Sequence, residues 1–596
     1  MVKTLHEEEV LGKAYDSRLM KRLLSFLKPY MLHVGLAVFV LLVASMGQLA
    51  GPFLVKVGID NHIASGDFEG LTHICLIYMA VLVVEFLFQF MQAYLVNWIG
   101  QKAMYDLRMK IFTHIQSLPV SYFDRNPVGR VVTRVTTDIG SLHEMLSSGA
   151  VAIFGDIFKL AGIVAVLLIF NWKLALVTFS VVPLIFYATF LFKKLVREIY
   201  RVIRLRIARI NAFLQENIIG MPVVQLFNRE QRNFEQFEKL NRDHLDAYLR
   251  TILYYATFYP VVRIISALAI ALIVWYGGGR IIQDTLTFGA LVAFIQYAEM
   301  FFRPIMDLSE KYNIMQSAMA SSERIFKVLD TEPEPGYVIA PRHEVRFRGE
   351  IEFRNVWFAY KNEDFVLKDV SFHIKPGERV AFVGATGAGK TTIMNLLLRF
   401  YESNRGEILL DGTDIRSLNP RQLREGFSMV LQDVFIFDGT IAHNIRLENQ
   451  DISDEQIRQA ANDVHADHFI GKLPDGLEHQ VSERGKGLSV GQRQLLSFAR
   501  ALAFDPTVLI LDEATSSVDT ETELLIQDAL ERLMRNRTSL VVAHRLSTIQ
   551  NADRIIVMHK GEIREAGTHQ ELLVRGGIYY KLYQLQYDYQ KKRHVA

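Results

Sequence analysis

Six stretches in the first half of the chain are apolar for long enough to cross a bilayer, near residues 31 to 53, 71 to 98, 148 to 170, 172 to 192, 252 to 276 and 286 to 308. Each could span roughly 30 Å of hydrocarbon at about 1.5 Å of helical rise per residue. A backbone amide in hydrocarbon has no water to bond with, so segments of this kind are confined to helices whose hydrogen bonds close within the segment. The sixth stretch is interrupted by Glu299, Arg303, Pro304 and Asp307. A spanning helix carries such residues where it faces a water-filled cavity.

Basic residues in the connecting segments set the orientation. The connection after the second stretch holds Lys102, Arg108, Lys110, Arg125, Arg130 and Arg134, and the one after the fourth holds Lys193, Lys194, Arg197, Arg201, Arg204 and Arg206. The three other connections offer only Lys56, Lys173 and Arg280, which places both termini in the cytoplasm. The two basic connections are patterned as helices, so the spans are expected to run well past the bilayer. Within them, SLPVSYFDRNPVGRVVTR and ENIIGMPVVQLFNREQ each set a Pro or Gly break beside apolar residues, as a long helix does where it turns across a docking surface. A plain helical hairpin is the simpler alternative.

The segment DSRLMKRLLSFLKPY pairs Leu19, Leu23, Phe26 and Leu27 with Lys21, Arg22 and Lys28, the pattern of a helix lying along the membrane surface or, equally, of an ordinary amphipathic start to the first spanning helix. No cleavable signal precedes it, since Glu7, Glu8 and Glu9 stand where a short apolar core would be needed. Asp156 and Lys159 are three apart in the third stretch and can pair on one helix face, while Glu85 and Arg263 are the other charges inside spans. Structural pairing explains these charges more simply than a substrate path does. Phe86, Phe90, Tyr254, Tyr255 and Phe258 could line an apolar cavity, with lipid-facing packing the simpler account. The net charge of +2 gives no electrostatic case for nucleic acid, and the single cysteine, Cys75, excludes an internal disulfide and a cysteine-cluster metal site.

Residues 331 to 349 carry Pro333, Pro335, Gly336 and Pro341 and read as a linker between a membrane domain, 1 to 330, and a soluble domain, 350 to 596. The second half then alternates strands with helices. In ERVAFVGATGAGKTTIMNLLLRF a buried strand, a glycine-rich turn and a helix follow one another, and the turn fits G-x-x-x-x-G-K-[ST] in full. Gly384, Ala385, Thr386, Gly387, Ala388 and Gly389 can curl their amides around phosphate oxygens, Lys390 can reach the terminal phosphates, and Thr391 and Thr392 open the helix, Thr391 as a Mg²⁺ ligand. Further on, PTVLILDEATSSVDT delivers Asp512 and Glu513 at the end of an apolar strand. Asp512 suits the Mg²⁺ shell, and Glu513 suits polarising the water that attacks a γ-phosphate, although paired acids there could merely cap the next helix.

Residues 350 to 575 resemble the ATPase cassette of ABC transporters, with these motifs and further ones in sequence order. The resemblance implies that Tyr360 stacks on adenine, that Gln432 in VLQD lies at Mg²⁺ and water, and that His544 in VVAHRLS touches the γ-phosphate. The stretch ERGKGLSVGQRQLLSFARAL is similar to the family signature, with Leu488, Ser489, Val490, Gly491 and Gln492 opening a helix that would meet the ATP of a partner cassette. The fold class expected is therefore an α-helical domain of six spans followed by an α/β P-loop nucleotide-binding domain, and one chain is half of the transporter. The order of domains resembles bacterial multidrug and lipid exporters. That implies ATP and Mg²⁺ as cofactors, lipid and small lipophilic molecules as partners or cargo, coupling helices at the two cytoplasmic turns sensed by Glu483 to Gly485, and a bacterial inner membrane. Val490 stands where the family has the first glycine of LSGGQ, so a second, different half-transporter is expected as partner, with a homodimer as the alternative. An ATP-regulated channel or sensor shares these motifs, and the six spans exclude a soluble chromosome- or repair-type ATPase.

Overall fold

The computed structural model describes residues 16–337, 346–512, 520–542 and 549–585. The chain forms two compact units, Met1–Ile115 with Val128–Thr331 and Gln116–Pro127 with Glu332–Ala596. Thus the turn after the second apolar stretch is grouped with the second unit, although the helices on either side of it in sequence are in the first.

The first unit is helical throughout: α1 (Ser17–Ser25), α2 (Met31–Val57), α3 (Phe68–Gln116), then, after α4 (Val120–Arg125) of the second unit, α5 (Val128–Val135), α6 (Thr137–Glu144), α7 (Val151–Phe179), α8 (Val182–Ile219), α9 (Met221–Leu226), α10 (Glu230–Ile282) and α11 (Phe288–Leu329). All six apolar stretches fall on these helices. Among the described residues four helical stretches are long and apolar enough to cross a membrane, 28–63, 68–116, 128–179 and 230–282, and Phe288–Phe302, the start of α11, is a shorter apolar one. The fourth expected span does not form one unbroken helix. Asn171, at φ −162° and ψ 102°, breaks α7, and its Oδ1 accepts the Leu174 amide at 3.0 Å to restart the helix. A two-residue turn at Ser180 and Val181 then separates α7 from α8, where Pro183 falls in the first turn and needs no amide partner. The sixth lies on α11, which runs as one helix of 42 residues with Pro304 inside it.

Helices α3 and α10, of 49 and 53 residues, are far longer than a bilayer requires. Leu23 of α1 is fully buried in a cluster with Met104, Leu107 and Ile111 of α3, Leu142 of α6 and Phe326 of α11, and Leu19, Phe26 and Leu27 pack against the same cluster. The apolar stripe of α1 therefore packs against α3, α6 and α11. Arg22 beside it donates to both carboxylate oxygens of Asp330 at 2.7 Å and lies over the Phe326 ring.

Buried charge is paired across helices. Asp156 of α7 accepts from Lys311 of α11, a partner 155 positions away that sequence adjacency to Lys159 could not indicate. Glu85 accepts from Gln89 at 2.6 Å one turn on, and Arg263 is exposed on α10. Phe86 and Phe90 are exposed, while Phe258 is buried and stacked on Phe192 with ring centres 4.0 Å apart. At the far end of α2, Asp60 lies in a π-helical turn, Gly58–Ile63, and caps α11 from outside: its Oδ1 accepts the Gly289 amide at 2.8 Å and its Oδ2 the Thr287 hydroxyl at 2.6 Å.

Among the described residues the second unit holds three sheets, of four, six and two strands. Strands β1 (Ile351–Phe358), β2 (Leu367–Ile374), β4 (Arg405–Leu410) and β5 (Thr413–Asp414) form an antiparallel sheet in the order β2-β1-β4-β5. The larger sheet runs β12-β11-β3-β10-β9-β6, with β3 (Arg379–Val383), β6 (Phe427–Val430), β9 (Val508–Asp512), β10 (Thr538–Val542) and β11 (Arg554–His559) parallel and β12 (Glu562–Gly567) an antiparallel edge. A short pair, β7 (Gly439–Thr440) and β8 (Gln480–Val481), lies apart from both. The helices are α12 (Lys390–Leu397), α13 (Pro420–Glu425), α14 (Ile441–Arg446), α15 (Asp454–Asp463), α16 (Asp467–Ile470), α17 (Val490–Ala503), α18 (Thr520–Leu533) and α19 (His569–Arg575). Residues such as Val508, Leu509 and Ile510 of β9 are all buried, as in a parallel sheet covered on both faces.

In the first unit Asp138 of α6, 6% exposed, accepts from Arg324 Nε of α11 at 3.0 Å and from the Ser321 hydroxyl at 3.0 Å. Removing one member of a buried pair strands the other. Arg324→Ala is expected to destabilise the detergent-solubilised protein by up to about 3 kcal/mol, less to the extent that solvent reaches the arginine. Thermal unfolding checks this, and the double variant Asp138→Ala/Arg324→Ala should lose less than the sum of the single losses.

Candidate nucleotide site

Open α/β sheets bind ligands at the C-terminal ends of their parallel strands, where the loops leaving those strands come together. Here the loop after β3 carries residues 384–389, β9 ends in Asp512, and Gln432 comes two residues after β6. The register ties these ends together, since Val542 of β10 faces both Phe382 of β3 and Asp512 of β9, and Leu511 faces Val430 of β6. The P-loop, Asp512 and Gln432 therefore emerge along one edge of the sheet.

The loop needs its glycines for space and for conformation. Gly389, the residue before α12, sits at φ +102°, and a Cβ there would come within 2.6 Å of Leu367 Cδ2. A Cβ on Gly384 would come within 2.3 Å of the Met558 carbonyl oxygen. Lys390 is next, 6% exposed, with its ammonium donating to the Gly384 and Ala385 carbonyls at 2.7 and 3.1 Å. Burial lowers its pKa, and the charge of Asp512 acts the other way. Thr391 is exposed and Thr392 buried at the start of α12. Ala388 is buried too, while Ala385, Thr386 and Gly387 are more open.

Tyr360, the residue expected to stack on adenine, is bonded to α12. Its hydroxyl donates to Thr392 Oγ1 at 3.2 Å and accepts from Asn395 at 3.4 Å, so it is tied to the helix that begins at the P-loop. Its ring meets Phe358 and Tyr401 edge-on, with centres 4.7 and 4.9 Å away. Tyr401 was not singled out in the sequence. The only signal for it is the aromatic run in RFYESN, which reads equally well as core.

Gln432 is exposed. The chain beyond it is fixed by Asn444 of α14, which exchanges hydrogen bonds of 2.9 Å with the Phe437 amide and carbonyl, and by Arg500 of α17, which donates to the Asn444 and Phe435 carbonyls at 2.8 and 3.1 Å. Glu513 and His544, the candidate base and γ-phosphate contact, lie outside the described residues, directly after Asp512 and two positions after β10.

At the start of α17, Ser489 accepts the Gln492 amide at 3.2 Å while Gln492 Oε1 accepts the Ser489 amide at 2.8 Å, a reciprocal capping box. Gly491 is buried, and Val490 is 48% exposed at the first helical position. Its φ is not positive, so the backbone here makes no demand that only glycine can meet. Valine's effect is its bulk at the surface. In the upstream ERG, Arg484 adopts φ 63° and Gly485 φ 68°, and Glu483 is exposed.

These elements suit triphosphate chemistry: a cradle of loop amides, a buried lysine and an acid at a strand end. Among the described residues no cluster of three His, Cys, Asp or Glu side chains could hold a metal by itself. The oxygen donors Thr391, Gln432 and Asp512 fit a hard divalent ion that also takes phosphate oxygens.

Comparison with known proteins agrees with this geometry. Residues 34–305 match the family described as ABC transporter transmembrane region, and residues 367–516 the family described as ABC transporter. The chain is 39% identical over 583 residues to the uncharacterized ABC transporter ATP-binding protein YknV of Bacillus subtilis, covering 98% of this chain and 96% of that protein. It is 37% identical over 575 residues to an ATP-dependent lipid A-core flippase of Syntrophus aciditrophicus, covering 96% and 95%. The structure of a bacterial Atm1-family ABC exporter with ATP bound is similar at a TM-score of 0.77 and 28% identity, over 96% of this chain and 99% of that one. Relatives of this identity over nearly the whole length place the chain in the ABC transporter family, as a multi-pass half-transporter of the exporter type that works as a dimer and binds and hydrolyses ATP to drive export.

Proposed function

We propose that the protein exports lipophilic or amphiphilic molecules, drugs or lipids, from a bacterial cytoplasmic membrane by alternating access, with both termini and the cassette in the cytoplasm. The observation that carries the reading is the convergence of the P-loop, Asp512 and Gln432 on one sheet edge in a chain that also bears the apolar spans. The named substrate of the flippase relative supports a lipid-like cargo.

In this reading Tyr360 stacks on adenine, and the amides of residues 384–389, with Lys390, hold the β- and γ-phosphates. Thr391, Gln432 and Asp512 hold Mg²⁺, which when bound offsets phosphate charge. Glu513 orients and polarises the attacking water, and His544 contacts the γ-phosphate. Ser489, Gly491 and Gln492 offer the start of α17 to the nucleotide of the partner cassette, where unpaired helix amides favour anions. ATP draws the cassettes together, the cavity turns outward, and hydrolysis resets the cycle. Uptake of fluorescent lipophilic dyes into inside-out vesicles tests the whole reading: ATP-dependent accumulation is expected, and its absence with every amphiphile tried, alongside intact ATPase activity, would overturn the cargo class.

Lys390→Ala is expected to weaken ATP binding by about ten- to a hundred-fold, the loss of about 1.5–3 kcal/mol of charge-assisted bonding. Unchanged affinity in a binding titration would make the loop structural only. Glu513→Gln is expected to keep ATP binding, remove most turnover at the site it serves, and trap closed dimers. Native turnover at that site would remove Glu513 from the mechanism.

Val490 supports a partner that differs from this chain. Its exposed bulk stands where the signature would approach a γ-phosphate, while Lys390 and Asp512 keep this chain's own Walker site equipped. The partner would carry an intact LSGGQ-type signature and a weaker base at the position matching Glu513. Purified alone and reconstituted, the chain is expected to show little coupled transport. Full coupled activity without a second subunit would establish the homodimer.

A further inference from the structure

The first cytoplasmic turn, Gln116–Pro127, belongs to the same compact unit as the cassette, and its bonds there include two to residues distant in sequence. One is a backbone bond at 2.8 Å from the Glu334 amide to the Ser117 carbonyl. Glu334 also accepts from Arg424, whose Nε donates to the Leu398 carbonyl just after α12 at 3.0 Å. The other is a side-chain bond in which the Tyr401 hydroxyl donates to Asp124 of α4.

This second anchor touches the nucleotide site through its ring. Tyr401 packs edge-on against Tyr360 at 4.9 Å and an interplanar angle of 87°, and against Phe358 at 5.7 Å. Asn404 steadies the same corner, its Oδ1 accepting the Ala359 amide at 2.7 Å and its own amide bonding the Trp357 carbonyl at 2.9 Å. Tyr360 is in turn fixed at its hydroxyl by Thr392 and Asn395. A shift of the Tyr360 ring therefore presses on an aromatic neighbour whose polar tip is committed to α4. Edge-to-face pairs depend on ring angle and centre distance, so tilting one ring bears on the other. Burial together with the Asp124 carboxylate pushes the Tyr401 pKa up, which keeps the phenol protonated and donating at neutral pH.

We propose that Tyr401 is a positioning residue that joins the base-stacking Tyr360 to Asp124, so that α4 responds to the base of a bound nucleotide rather than to its phosphates. The proposal rests on Tyr360 being the base-stacking residue. It separates two routes from nucleotide to turn: an aromatic one, Tyr360 to Tyr401 to Asp124, and a phosphate one through α12, Arg424 and Glu334. The aromatic route predicts that the turn distinguishes a nucleotide from a bare polyphosphate.

Hydrogen exchange on the full-length protein in nanodiscs tests this, following peptides over 116–127 and 384–392 with Mg²⁺ and either the β,γ-imido analogue of ATP or inorganic tripolyphosphate. In the native protein the analogue is expected to slow exchange at least twofold in both segments, and tripolyphosphate only in 384–392. Tyr401→Phe keeps the ring and deletes the bond to Asp124. In it the analogue should protect 384–392 as before, leave 116–127 unchanged and bind within about twofold of its native affinity. Asp124→Asn, which weakens the bond from its other end, should reduce the response of 116–127 in the same direction. Equal protection of 116–127 by tripolyphosphate, or a native response in Tyr401→Phe, would overturn the relay. So would protection of 384–392 alone by the analogue in the native protein. Should tripolyphosphate bind too weakly to protect either segment, the Tyr401→Phe comparison still decides. Failure of the analogue to protect either segment in the native protein would instead overturn the nucleotide-site reading.

Discussion

Much of the first unit stems from one constraint: a peptide amide in hydrocarbon must find its partner within the chain. The apolar segments become helices for that reason, and helix ends become the places where something else must satisfy exposed amides and carbonyls. The structure meets this need with borrowed groups. Asn171 caps the arm of α7 that comes after it, and Asp60 of another helix caps α11. Charge inside the unit is handled in the same way, by partners distant in sequence, as with Lys311 for Asp156 and Arg324 for Asp138.

The cassette works under a different rule. A parallel sheet with both faces covered exposes its chemistry only at its strand ends. This accounts for the grouping of a lysine, an acid and a glutamine that lie far apart in sequence. The P-loop lysine at that edge is buried, and its ammonium donates to the carbonyls of Gly384 and Ala385 in the loop itself.

The features legible in the sequence were those with a local signature. Apolar length gave the helices, the G-x-x-x-x-G-K-T spacing gave the turn before α12, and the likeness of LSVGQ to the family signature gave the start of α17. Mutual orientation stayed hidden. The apolar stripe of α1 reads the same whether it meets lipid or Met104, Leu107 and Phe326, and only the fold decides. Asp156 has a cation one turn away in sequence and its partner Lys311 on another helix. Tyr401 carries no motif at all, because an aromatic in RFYESN becomes informative only once Tyr360 and Asp124 are known to flank it. Val490 was legible as a departure, but its helical backbone and outward side chain were not, and these show that the departure changes shape at a surface and not the course of the chain.

The cap that α2 lends to α11 bears on which changes in length the chain can tolerate. The carboxylate of Asp60 meets both the hydroxyl of Thr287 and the amide of Gly289, and a Cβ at Gly289 would come within 2.6 Å of the Lys56 carbonyl oxygen. The start of α11 is thus keyed to a fixed point on its neighbour. One residue added or deleted within α11 between this key and Lys311 would turn the lower helix by about 100° and move it about 1.5 Å, carrying the lysine away from Asp156. Insertions in this part of the protein should therefore be found in the loop before Thr287, where the ruler has not yet begun, and α11 itself should keep its count.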